Sequence, residues 1–177
     1  MRKKLVSQIS RYCNKMAEIV FDSSDETIRK GTLFVSQNQA GNGFLLKDCW
    51  FGPNRARGFI CNASFGRVEN CVFEGISAQA VKSAPSYGWL EGGVARDVVF
   101  DRCVFIDCPV FFGVAKDMLH TADCHRNITF SNCRFKGSKA RLEVLACNGL
   151  LLQNNQFDAS ATPRVTTQLV IEKQPAE

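Results

Sequence analysis

The chain has 177 residues, 45% of them hydrophobic, and a net charge of +5, which suits one domain around one continuous core and argues against disorder. Its lysines and arginines are scattered rather than gathered into a stripe, and no nucleic-acid-binding module is visible, so a nucleic-acid partner is not expected. Met1-Arg2-Lys3-Lys4 starts like a signal peptide, but Ser7, Gln8, Ser10, Arg11, Asn14 and Lys15 interrupt the apolar stretch such a peptide needs, and no run is long enough to span a membrane; the chain as written is expected to stay in the cytoplasm, without a membrane partner.

Residues 1–17 match nothing later in the chain and read as a lead-in, a short helix able to cap the open end of a coil. Ala17-Glu18-Ile19-Val20-Phe21 is a predicted strand, 22–30 a polar connection, and Thr32-Leu33-Phe34-Val35 a second strand. From Phe44 onward one pattern recurs: Phe44-Leu45-Leu46-Lys47-Asp48-Cys49-Trp50-Phe51, Arg67-Val68-Glu69-Asn70-Cys71-Val72-Phe73, Val98-Val99-Phe100-Asp101-Arg102-Cys103-Val104-Phe105, Ile128-Thr129-Phe130-Ser131-Asn132-Cys133-Arg134-Phe135 and Leu150-Leu151-Leu152-Gln153-Asn154-Asn155-Gln156-Phe157.

Each copy holds two period-2 apolar pairs, such as Ile128/Phe130 and Cys133/Phe135, out of phase by one residue. A corner between them must reset the register, and Asn70, Asn132 and Asn154 stand there; asparagine tolerates the left-handed conformation that a sharp corner needs. The shortest step between copies is about two dozen residues, which fits three short strands and their corners. The predicted fold is therefore all-β: a single-stranded right-handed parallel β-helix over 1–177, with rungs over 18–158 and a terminal strand and tail over 159–177. The Cys column (Asn155 in the last copy) and the Phe column are predicted to stack. Gln168-Leu169-Val170-Ile171 is the last strand candidate, and Pro175-Ala176-Glu177 is expected to fray.

Four of the nine cysteines share one repeat position, which points to buried reduced thiols. An odd total without paired CxxC motifs argues against zinc or a full disulfide framework. His120, Cys124 and His125 are close in sequence but lack a fourth ligand, so neither metal nor cofactor is expected.

Two steps are longer than the others, and the excess reads as insertions after corresponding strands: Ser83 to Gly93 and about Ala115 to His125. Insertions in solenoids tend to emerge on one face, often the binding face. The first carries Tyr87, Trp89 and Glu91, flat aromatic faces with a carboxylate; this suits a sugar ring, and equally a loop folded over the core. Arg55 and Arg57 precede the matching strand of the first rung and are able to grip a carboxylate or to bridge rungs. Asp117, His120 and Asp123 in the second insertion are binding candidates or solvated surface groups.

Asn54-Arg55-Ala56-Arg57-Gly58, Trp89-Leu90-Glu91 followed by Val94-Ala95-Arg96-Asp97-Val98, and His125-Arg126-Asn127-Ile128 resemble successive rungs of the pectin-lyase-like β-helix glycosidases of the α-1,3-galactosidase type, glycoside hydrolase family 110. The resemblance runs from about Ala17 to Phe157 and corresponds to the later rungs of a longer family member. It implies an inverting glycoside hydrolase acting on α-galactosides, with Glu91 on an acidic position of the family; Asp117 or Asp123 from the adjacent loop stands in for the second catalytic carboxylate, Arg55, Arg57, Tyr87, Trp89 and His120 are read as binding the substrate, and a glycan is the expected partner. Relatives tend to carry an aspartate upstream of the Trp, where this chain has Ser83, Ala84 and Pro85; that departure implies a weakly active or truncated form. The alternative is a non-catalytic glycan-binding or structural β-helix, and the sequence leaves the oligomeric state open.

Overall fold

The structure is a computed structural model that describes residues 3–10, 13–21, 28, 40–86, 93–114, 124–159, 161, 163–165 and 170–173. The chain divides into two compact units, Met1–Phe34 and Val35–Glu177. In the first, β1 (Lys3–Ser10) pairs with β2 (Cys13–Phe21) as an antiparallel hairpin. The capping helix expected over 1–17 is thus replaced by a strand pair. Leu5, Val6 and Ile9 are spaced as a helical turn would space them, but so short a segment gains little from helix propensity, and the ladder to β2, continuous from Lys3 to Gln8, outweighs it.

The second unit is a right-handed parallel β-helix. Rung 1 comprises β3 (Leu45–Lys47), β4 (Trp50–Phe51) and β5 (Arg57–Ile60); rung 2 comprises β6 (Arg67–Glu69), β7 (Val72–Glu74) and β8 (Gln79–Ser83). Rung 3 has β9 (Arg96–Asp101), β10 (Val104–Ile106) and β11 (Pro109–Phe112), and rung 4 has β12 (His125–Ser131), β13 (Arg134–Lys136) and β14 (Arg141–Val144). Rung 5 follows as β15 (Cys147–Gln153), β16 (Gln156–Phe157) and β17 (Arg164–Val165), before the last strand β18 (Val170–Lys173). Gln168 and Leu169, expected at the start of that strand, and the strand expected over Thr32-Leu33-Phe34-Val35 lie outside the described residues. First strands pair only with first strands, second with second and third with third, which gives three parallel sheets.

The register stacks Phe51, Phe73, Phe105, Phe135 and Phe157 in one line, as the repeat predicts. Successive rings lie 4.6, 5.1, 4.8 and 4.7 Å apart and nearly parallel. A rise of one strand spacing per rung makes that offset stack the natural packing for identical side chains. A second aromatic pair, Phe100 on Phe130, stacks at 4.7 Å from the first sheet. The Cys positions stand beside the Phe column as free thiols, joined rung to rung by bonds such as Val104 N–H to Cys71 O at 2.9 Å. Asn155 ends that column differently: its Oδ1 accepts the Cys133 N–H and its Nδ2 donates to Phe130 O, both at 2.9 Å.

The corner after each first strand is left-handed in all five rungs, at Asp48, Asn70, Arg102, Asn132 and Asn154, with φ between 50° and 55°. Asn70 donates to Asp48 at 2.7 Å and Asn154 to Asn132 at 3.4 Å, so the corner is also a side-chain ladder. Among the described residues no helix is long and apolar enough to cross a membrane.

Candidate functional site

The third strands place the sequence-predicted groups relative to one another. β5, β8 and β11 pair in register, Phe59 with Val81 and Val81 with Val110, so the strand of Arg57 and the two strands that lead into the insertions are neighbours on one sheet. Gly58 allows this: a Cβ there would collide with the Ala80 carbonyl oxygen on the next rung. Arg55 lies in the connection before β5, and Arg57 opens it; both are exposed. Asn54 shapes that connection by accepting the Ala56 N–H at 2.8 Å, an Asx turn with Arg55 at its exposed tip. Neither guanidinium forms an ion pair with a described residue. Tyr87, Trp89, Glu91, Asp117, His120 and Asp123 lie outside the described residues.

The roots of both insertions are described. The first leaves from Ser83 at the end of β8 and returns through Gly93 to Ala95; the second leaves through Gly113 after β11 and returns at Cys124 and His125. Gly93 has a φ of 96° and passes so close to Asn62 that a Cβ would strike its carbonyl oxygen, which fixes the return of the first insertion against the turn after β5. Exit lies beside exit, with the Gly113 N–H donating to Ser83 O at 2.9 Å. Return lies beside return, with the Arg126 N–H donating to Ala95 O at 3.1 Å.

Between these four ends sits His125, fully buried. Its Nε2–H donates to Gly113 O at 2.8 Å, while Nδ1 accepts the Ala95 N–H at 3.1 Å and faces Ser83 Oγ at 3.4 Å. A backbone N–H can only donate, so Nδ1 is the bare nitrogen and the ring is the neutral Nε2–H tautomer. Phe112 meets the ring edge-on at 5.7 Å. Burial pushes the His125 pKa below the ordinary imidazole value, against the opposing pull of the Gly113 carbonyl. With both nitrogens engaged the ring has no lone pair for a metal. Burial also pushes the neighbouring Cys124 thiol up to about 12, which keeps it protonated. Among the described residues no group of three His, Cys, Asp or Glu side chains is arranged to hold a metal ion.

The first sheet brings two carboxylates, Glu69 and Asp101, into adjacent rungs. Each is committed to its corner. Glu69 pairs with Arg67 at 2.6 Å, and Asp101 pairs with Arg102 while accepting bonds from Ser131 at 2.9 Å and Asn132 at 3.0 Å. Burial would raise the Asp101 carboxyl, but the bonds from Asn132 and Ser131 and the Arg102 charge hold it below the usual carboxylate range. Sequence reasoning missed this site because Asp101 occupies an outward strand position where solvation is the default expectation. An exposed aromatic face occurs on the second sheet: Trp50, 65% exposed, lies over Gly52, and its indole N–H donates to Glu74 at 3.3 Å.

Compared with protein-family models, with curated proteins and with solved structures, the chain matches none. The parallel β-helix thus stands on its own register and stacking, a fold compatible with a carbohydrate-active or a structural protein.

Proposed function

We propose that the chain is a carbohydrate-active β-helix related to the inverting α-galactosidases, with a glycan lying along the corner where the insertions emerge. The observation that supports this reading is the register of β5, β8 and β11, which sets the exits of both insertions side by side at the end of one sheet, the sheet that exposed Arg57 opens four residues earlier beside Gln79. In this reading Trp89 and Tyr87 stack on the sugar, whose polarised C–H bonds favour an aromatic face. Arg55, Arg57 and His120 hold hydroxyls or orient the acid. Glu91 protonates the leaving oxygen and Asp117 activates water on the opposite face, which for inversion requires carboxyls about 6.5 to 9.5 Å apart. Ser83, Ala84 and Pro85 stand where relatives tend to have an aspartate, so turnover is expected to be slow relative to binding.

The test pairs α-galactoside turnover with glycan binding for the native chain and Glu91→Gln. Binding retained and turnover abolished in the variant supports the assignment. If neither property responds, Glu91 has no such role. A second reading, a structural solenoid, is favoured by the way acids at the described corners are used: Asp48, Asp97 and Asp158 accept bonds from Asn70, Asn127 and the Gly137 N–H, and so serve the coil itself. A native chain that neither binds nor cleaves a panel of galactosides decides for that reading.

A further inference from the structure

The four chain ends around His125 belong to two insertions far apart in sequence, yet one imidazole touches the other three ends and forms the fourth. We propose that His125 is the positioning residue that holds both insertion roots in one frame, and that it does so only as the neutral ring, so that the packing of these roots follows pH. This holds whatever the segments bind; only its consequence for a glycan rests on the function proposed for them.

The geometry supplies the argument. Protonation at Nδ1 would turn a donor toward the Ala95 N–H, itself a donor at 3.1 Å. Ser83 Oγ can rotate to accept, but the backbone of Ala95 cannot, so the return of the first insertion must shift away. The Nε2 bond to Gly113 survives protonation, which places the break between the rungs rather than within the second insertion.

Among the described residues, nothing around the ring offsets a positive charge. From β8 the neighbour is Ser83, with Lys82 next along the strand; from β11 come Phe112 and Gly113; from β9 Ala95, with Arg96 beyond; and from β15 its register partner Cys147. On its own strand stand Cys124 and Arg126. The carboxylate nearest in register, Asp97, is exposed and accepts the Asn127 side chain at 2.8 Å. Because the folded-state pKa lies below the ordinary 6.5, the contribution to stability is complete above that value and is lost as pH falls from it through the folded-state value.

The test is amide exchange by NMR on the full chain, corrected for the pH dependence of chemical exchange. Between about pH 7.5 and about pH 5 the amides of Ala95, Gly113 and Arg126 should lose protection together, by about tenfold or more, with the midpoint at which the His125 ring nitrogens titrate. Val104 and Arg134, bonded to Cys71 and Cys103 in the adjacent column, should keep theirs. His125→Gln serves as the control, since a carboxamide can donate to Gly113 O and accept from Ala95 N–H without titrating; protection should then be flat with pH. Loss confined to one insertion's root, loss shared equally by Val104 and Arg134, or a pH response undiminished in H125Q would overturn the proposal. If H125Q does not fold, a ring titration in the native chain whose midpoint differs from that of the amides overturns it instead. Because no sugar enters the measurement, failure of glycan binding leaves this result intact.

Discussion

Rung 1 and rung 3 carry the same motif but differ in burial. Phe105 is fully buried between Phe73 at 5.1 Å and Phe135 at 4.8 Å, whereas Phe51 stacks, among the described residues, on Phe73 alone and is only partly buried. The same holds along the rung: the core-facing Phe44, Leu46, Cys49 and Phe59 of rung 1 are only partly buried, whereas Val98, Phe100, Cys103 and Val110 of rung 3 are fully buried. The difference shows what protects a core residue in a solenoid. Strand alternation aims a side chain inward, but only a rung on each side removes it from water.

The largest effect expected from this comparison comes from truncating the Phe column. Phe105→Ala should cost about 3 to 5 kcal/mol, because its cavity is closed by ring on both sides, while Phe51→Ala should cost on the order of 1 to 2 kcal/mol, because its site is already open. Equal shifts in the denaturant midpoint would break the comparison. Next in size is the corner ladder. Asn132→Ala removes a residue suited to φ 55°, the bond to Asp101 and the acceptor for Asn154, and should cost about 1 to 3 kcal/mol in the same unfolding assay.

Acid sharpens the contrast further. The Asp101 carboxyl is held below its usual range, so its stabilisation is present above the unfolded-state pKa and is lost as pH falls through the folded-state value. Asp101→Asn should flatten that part of the stability profile, with melting temperature against pH as the readout. The smallest effect concerns the thiols. Burial pushes Cys61 up to about 12 and Cys71 and Cys108 up to about 11, while Cys49 in rung 1 is only partly covered. A thiol reagent on the native chain should therefore modify Cys49 well before the interior column. Simultaneous labelling of Cys49 and Cys103, read by mass spectrometry, would contradict that order.

Most of the coil was legible in the sequence because a repeat records its own register: once Cys71 and Cys103 are aligned, Phe73 and Phe105 follow. Asparagine marked the left-handed corners at Asn70, Asn132 and Asn154, but Asp48 and Arg102 adopt the same conformation without it, and at Arg102 the corners of rungs 2 and 4 on either side impose it. A second left-handed column, through Phe65, Asp97, Asn127 and Gly149, has no common residue type and was invisible. The N-terminal hairpin was misread because its partner strand, not its own spacing, decides its conformation. At the site, the adjacency of the third strands could be inferred. The role of His125 could not, since its bonds reach the backbone of Ala95 and Gly113, which any residue type could supply.

The claim that stacking rung on rung makes the core is tested most directly by two double-mutant cycles on the Phe column. Phe105→Leu with Phe135→Leu should show a coupling of about 0.5 to 1.5 kcal/mol, as stacked neighbours do, whereas Phe51→Leu with Phe157→Leu, at opposite ends of the column, should be additive. An additive Phe105/Phe135 pair, or equal coupling in both cycles, would contradict the account.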